Sequence, residues 1–124
     1  MLDKFINIGY YYETSEGQID VLCEGIRKSD RVSLVYIMTV EDEIKYIGKT
    51  IQGYVRPLSY HKNTVMADVN RGILEACMQG KSVNVYVRKF DEPLMFEGLE
   101  LDICEAYEQA LISKYKPEWN NHIR

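Results

Sequence analysis

The stretch LVYIMTVEDEIKYIGKT, Leu34 to Thr50, sets two apolar runs either side of a short acidic turn. Val32–Val40 is apolar at nearly every position, the pattern of a central strand covered on both faces. Glu41, Asp42 and Glu43 form the turn, and Ile44–Lys49 is the returning strand. Along it Lys45, Ile47 and Lys49 alternate with Ile44, Tyr46 and Gly48, which predicts one cationic face. Each strand carries a tyrosine, Tyr36 and Tyr46, and the second leaves through Gly48-Lys49-Thr50, a tight exit with a cation and a capping residue. Tyrosine is also an ordinary strand residue, so the hairpin alone assigns no chemistry.

Upstream, Phe5–Tyr12 and Gln18–Leu22 read as two strands joined through TSEG, with Gly17 at the left-handed position of the turn. Glu24–Arg31 is a polar connector. Downstream, Gly53 and Pro57 interrupt any regular helix. Arg56 precedes a proline and is pushed out of the helical region, so a helix is predicted to start at Pro57 and to bring Arg56, Tyr60 and His61 to one side. Asn63 or Thr64 caps a second helix with Met66, Val69, Ile73 and Cys77 inward, ending at Gly80. Ser82–Phe90 alternates as a half-covered strand, with Val83, Val85 and Val87 inward. An acidic loop, Asp91–Gly98, leads to a final helix, Leu99–Tyr115, stopped by Pro117.

On that helix Ile103, Cys104, Tyr107, Ala110, Leu111 and Tyr115 make one apolar arc at about 100° per residue. Glu108 falls within the edge of the arc, and Glu105 lies further out. A carboxylate at the margin of a buried face is costly unless a cation or metal meets it. The plain alternative is a side chain that reaches water at the helix rim.

The composition is that of a single ordinary domain: 124 residues, 46% hydrophobic and 27% charged. No apolar run approaches the roughly 20 residues that span a membrane, and the N-terminus, with Asp3 and no small-residue cleavage site, does not read as a signal peptide. Cys23, Cys77 and Cys104 are odd in number and lack C-x-x-C spacing, which favours reduced thiols and a cytoplasmic location. The net charge is −4, unevenly spread: Lys45–Lys89 holds eight cations and two acids, net +6, against −10 elsewhere. That split suits a basic groove on an acidic body, and equally a solvated surface with chance clustering.

Taken in chain order, these positions resemble the GIY-YIG nucleases over roughly Val32–Asn120. Leu34-Val35-Tyr36 stands where the family has Gly-Ile-Tyr, and Tyr46-Ile47-Gly48 matches the second half outright. Arg56 matches the arginine after the hairpin, and Tyr60 or His61 the histidine or tyrosine that follows it. Glu108 stands ahead of Pro117-Glu118-Trp119-Asn120, like the family's glutamate ahead of its Pro-x-aromatic-Asn ending. The N-terminal hairpin and KPEWN look most like the small stand-alone phage endonucleases of the endonuclease II type. The departures are Leu34 for glycine, Pro57 directly after Arg56, and His61 one residue late.

The resemblance implies metal-dependent hydrolysis of DNA phosphodiester bonds, with double-stranded DNA as partner and no membrane. Glu108 would bind Mg²⁺ or another divalent cation, with Glu105 as runner-up. Arg56 would hold the phosphate oxygens with its planar fork. Tyr36 would be the general base or orient the water, a role that requires Lys49 and Arg56 to lower a hydroxyl that ordinarily titrates near pH 10. Tyr46, with Tyr60 or His61, would complete the hydrogen-bond set, and Lys49, Lys45, Arg71 and Arg88 are substrate-binding candidates, with Lys62 and Lys89 as further backbone contacts. The expected fold is α/β: a small, mainly antiparallel three-stranded sheet flanked by helices over residues 32–124, with residues 1–31 adding an N-terminal β-hairpin to the same domain. So short a chain is expected to have low sequence specificity, or specificity supplied by a homo-oligomer such as a dimer or by that hairpin. The rival readings are a catalytically silent domain of the same fold that binds nucleic acid or protein, and an α/β interaction domain with no nucleic-acid role.

Overall fold

The computed structural model describes residues 2–27, 30–62 and 67–120. Seven strands and two helices follow in order: β1 (Ile6–Glu13), β2 (Ile19–Cys23), β3 (Ser33–Val40), β4 (Glu43–Thr50), α1 (Ala67–Met78), β5 (Val83–Phe90), β6 (Leu94–Phe96), β7 (Leu99–Leu101) and α2 (Ile103–Tyr115). No helix among the described residues is long and apolar enough to cross a membrane.

The main sheet has five strands in the order β2-β1-β5-β3-β4, every neighbouring pair antiparallel. This corrects the expected three-stranded sheet. The N-terminal hairpin turns as predicted, with Gly17 at φ 81°, but β1 then pairs with β5 and extends the sheet. Continuing a ladder satisfies a row of backbone groups that a separate hairpin would leave open.

Helices cover both faces. Ile73, Val69 and Cys77 of α1 pack with Tyr36, Met38 and Val85 on one side. On the other, Cys104 and Leu111 of α2 pack with Val35, Ile37 and Ile47. The continuous apolar run of β3 is thereby explained: both sets of its side chains are buried. Burial of Ile47 also overturns the predicted cationic face of β4. A register shift sets Met38 opposite Tyr46 but Thr39 opposite Ile44, so Lys45 is the extra residue of a bulge rather than part of a regular face.

Two helical expectations shift. No α-helix begins at Pro57; short 3₁₀ turns at Gly53–Val55 and Tyr60–Lys62 stand there instead. Arg56 keeps helical angles, φ −60° and ψ −55°, although it precedes a proline. The proposed caps Asn63 and Thr64 and the inward Met66 lie outside the described residues. The end of α1 is as expected: Gly80 takes φ 80°, and Gly80 and Lys81 donate backward to Cys77 O and Ala76 O, closing the helix.

The last helix starts four residues later than predicted. Asp102 caps it by accepting from Glu105 N at 3.1 Å, while Leu99–Leu101 pairs with β6 in a short ribbon turned by Glu97 (φ 52°) and Gly98 (φ 77°). The acidic loop is therefore part ribbon. On α2 Ala110 is exposed and Glu108 is buried, so the inward face is rotated toward the glutamate.

Past α2, Pro117 stops the helix and the Glu118–Asn120 turn folds back against β4. Asn120 Nδ2 donates to Ile47 O, and Asn120 Oδ1 accepts from Ile47 N, both at 2.9 Å. One amide side chain thus replaces a neighbouring strand on the outer edge of the sheet. Asn120→Ala should cost about 2 kcal/mol, because it leaves a buried N–H and C=O unpaired. A urea melt at pH 7 measures it.

Candidate active site

Three tyrosines converge on the α1 side of the sheet. Tyr36 comes from β3, Tyr46 from β4 and Tyr60 from the second 3₁₀ turn, with ring centroids 6.1 Å (36–46), 6.2 Å (36–60) and 6.0 Å (46–60) apart. The hydroxyls of Tyr36 and Tyr60 share a 2.5 Å hydrogen bond. All three side chains are buried.

Gly48 makes this packing possible. It lies opposite Tyr36 in the β3–β4 ladder, and a Cβ there would sit 2.6 Å from Tyr36 Cζ and 2.7 Å from its hydroxyl. The phenol lies across bare backbone. Sequence reasoning took this glycine as an exit residue; the available signal was a glycine inside a strand, which marks close approach.

Arg56 follows from the same loop. Its Cζ stands 4.9 Å from the Tyr60 ring centroid, a cation–π contact that carries the guanidinium to the tyrosine cluster. Between the two alternatives for the residue after it, Tyr60 joins the cluster and His61 does not. Successive residues of a 3₁₀ turn diverge by about 120°, so only one of the pair faces Tyr36. His61 instead packs T-shaped against Tyr11, with ring centroids 5.5 Å apart, and its Nε2 is 3.9 Å from Asp20 Oδ1.

Glu108 arrives from α2, packed on the opposite face, and is 8% exposed. Gln109 Nε2 donates to its Oε1 at 3.1 Å. Burial pushes its carboxyl above the ordinary glutamate value, while the Gln109 bond and Lys49 pull the other way by less. The negative charge of Glu108 reaches Tyr36 and Tyr46 and raises both hydroxyls further.

For those tyrosines the largest influence is burial. It drives Tyr36, Tyr46 and Tyr60 well above the phenol range, and Arg56 lowers each of them only in part. The expectation that cations hold Tyr36 below its usual value is therefore not met. Desolvation wins because the ring is enclosed on every side.

The remaining cations are engaged elsewhere. Lys49 Nζ is 3.4 Å from Glu105 Oε1, which places Glu105 in an exposed ion pair beside Glu108. Lys45 reaches Glu118 at 2.9 Å and Glu43 at 3.4 Å. Arg71 pairs with Asp68 at 2.6 Å. Arg88 donates to the Tyr107 hydroxyl at 3.1 Å and covers the Phe90 and Tyr107 rings. Of the substrate-binding candidates, Lys49 is the one whose charge lowers the Glu108 carboxyl.

Among the described residues no group of three or more His, Cys, Asp or Glu side chains gathers as a metal site. The residues fit a cation that needs few protein ligands. Glu108 is a desolvated carboxylate with one oxygen held by Gln109, and Glu105 lies a turn earlier. Mg²⁺ is commonly held by one or two carboxylates with several waters and substrate phosphate completing its shell.

Two solved structures share this fold. One is a glutamate-to-alanine mutant of bacteriophage T4 EndoII: 22% identity, TM-score 0.69, covering 94% of this chain and 91% of that one. The other is the restriction endonuclease HPY188I in complex with product DNA: 15% identity, TM-score 0.53, covering 98% of this chain and 78% of that one. The first bears out the resemblance to endonuclease II. No protein-family model matches the chain, and no curated protein does.

Proposed function

We propose that the protein is a divalent-metal-dependent endonuclease that hydrolyses DNA phosphodiester bonds at the Tyr36–Tyr60–Arg56–Glu108 site. The observation that carries the reading is the Tyr36 ring laid over Gly48 with its hydroxyl bonded to that of Tyr60, Arg56 against the Tyr60 ring and the Glu108 charge acting on Tyr36. A packed core alone needs no buried carboxylate, which costs free energy unless a cation or other partner meets it.

Each residue has a definite task. Arg56, half-buried, presents a planar fork of donors to the non-bridging phosphate oxygens. Tyr36 remains protonated at neutral pH, so it orients the attacking water through its hydroxyl rather than acting as a standing phenolate. Tyr60 fixes that hydroxyl by sharing its proton, and Tyr46 closes the cluster against bulk water. Glu108 would hold Mg²⁺ or another divalent cation, with Glu105, one turn earlier on α2, as the rival ligand. Such an ion, when bound, acts as a Lewis acid that neutralises charge at the reacting phosphate. Lys49 balances the charge of the two carboxylates.

The test is direct. Supercoiled plasmid incubated with protein and Mg²⁺ should be nicked, and a chelator should abolish the nicking. The protein's thermal midpoint should also rise on titration with Mg²⁺, by about 1.4 kcal/mol of stabilisation at ten times the dissociation constant. DNA binding without nicking under all these conditions would favour the silent domain, a reading that the burial of the three hydroxyls makes concrete.

A further inference from the structure

The site rests on a residue that belongs to none of its motifs. Tyr11, in β1, is fully buried and projects toward the loop that carries Arg56 and Tyr60. Its hydroxyl donates to Pro57 O at 2.6 Å and accepts from Tyr60 N at 3.0 Å. Burial keeps this phenol protonated, as donation to the carbonyl requires. The two bonds seize the loop on either side of Leu58 and Ser59, between the arginine and the tyrosine.

The loop needs such a clasp. It is built from Gly53, Pro57 and short 3₁₀ turns, whose hydrogen bonds are individually weak: Arg56 N to Gly53 O and Ser59 N to Arg56 O are both 3.4 Å. Arg56 holds helical angles in front of a proline, a conformation that local sterics oppose. Gly53 seats directly on the backbone of Asp30, where a Cβ would collide with its carbonyl oxygen. Both anchors therefore come from residues before β3.

We infer that Tyr11 is a positioning residue for the site: by bridging Pro57 O and Tyr60 N it sets the Tyr60 hydroxyl against Tyr36 and Arg56 over the Tyr60 ring. This deepens the nuclease reading and rests on it. It also gives the N-terminal hairpin a task in addition to extending the sheet. The hydroxyl does the positioning, while the ring serves packing against the core.

Tyr11→Phe keeps the ring and removes both bonds. In a plasmid-nicking assay with Mg²⁺, its kcat should fall about tenfold to a hundredfold, because small displacements of positioning groups cost rate. KM for DNA should stay within about twofold, since the substitution removes no charge from the protein. The Tyr60 amide should exchange faster with deuterium than in the parent protein. Phe5→Leu, a core truncation in the cluster on the opposite face of the sheet, serves as the comparison variant, each protein being assayed 10 °C below its own melting midpoint. It should retain parental kcat.

The outcomes separate. If the parent nicks and Tyr11→Phe matches it in kcat, the inference fails and the nuclease reading stands. Equal kcat losses in Tyr11→Phe and Phe5→Leu reduce Tyr11 to a structural residue and also overturn it. A parent that does not nick removes the nuclease reading and the inference together.

Discussion

Glu108→Gln should lower Mg²⁺-dependent nicking by about 10³-fold while making the folded protein more stable at neutral pH. The activity loss follows from removing the carboxylate that would hold the cation, a change in transition-state charge stabilisation of the size seen when one preorganised group is lost. The stability gain follows from burial. Glu108 has a folded-state pKa above the ordinary 4.5, with desolvation the first cause. A raised carboxyl pKa means that folding favours the protonated form. The ionised group therefore costs stability above its folded pKa, and that cost fades as the pH falls toward and below 4.5. Glutamine mimics the protonated form at every pH. The variant should be more stable than the parent at pH 7, and the two should converge below pH 4.5, as chemical denaturation at both pH values would show. Glu105→Gln should do neither, because Glu105 is exposed and already neutralised by Lys49. If Glu105→Gln abolishes nicking and Glu108→Gln does not, the metal assignment passes to Glu105. For the parent, the acid limb of the pH–rate profile should lie above 4.5, since a protonated Glu108 cannot hold a cation.

What the sequence made legible was periodic. Alternation in Ser82–Phe90 and the unbroken apolar run of Val32–Val40 identified β5 and β3 because each residue's face follows from its position. The helical arc of α2 found Glu108 the same way, although the face proved to be rotated, with Glu108 buried and Ala110 exposed. Strand order was not legible. That β1 lies against β5 depends on pairing residues such as Tyr11 and Val83, far apart in the chain, and no local pattern encodes that choice. Local rules also misled at the site itself. The pre-proline rule moved Arg56 out of helical space and placed a helix at Pro57, whereas Tyr11 and Gly53 hold the loop in a conformation that the isolated segment would disfavour. The ribbon from Leu94 to Leu101 was missed because its strands are three residues each, too short for alternation to register. The ionisation of Tyr36 could not be read either, since burial arises from the whole fold while neighbouring cations can be counted in sequence.

Gly48→Ala should cost the protein about 3 kcal/mol and roughly 10 °C in melting temperature, and should lower nicking about 10²-fold. The backbone accepts alanine here, since Gly48 lies in a strand and its φ is not in the left-handed region. The conflict is with Tyr36. An added Cβ would lie 2.6 Å from its Cζ, within van der Waals overlap, so the ring must swing away. Moving it breaks the 2.5 Å hydroxyl pair with Tyr60 in a buried setting, where an unsatisfied hydroxyl is costly. Stability and activity therefore fall through the same displacement. Gly72→Ala provides the contrast: there a Cβ would strike Trp119, packed beneath α1, with no hydroxyl of the cluster involved. It should lower the melting temperature yet keep near-parental nicking when assayed below its transition. A double-mutant cycle assigns the cause. In a Tyr36→Leu background the added methyl has no phenol to strike, so Gly48→Ala should cost much less there than in the parent. If the cost is unchanged, the glycine matters for some reason other than the tyrosine laid across it, and the reading of Tyr36 as the residue around which this site is built falls with it.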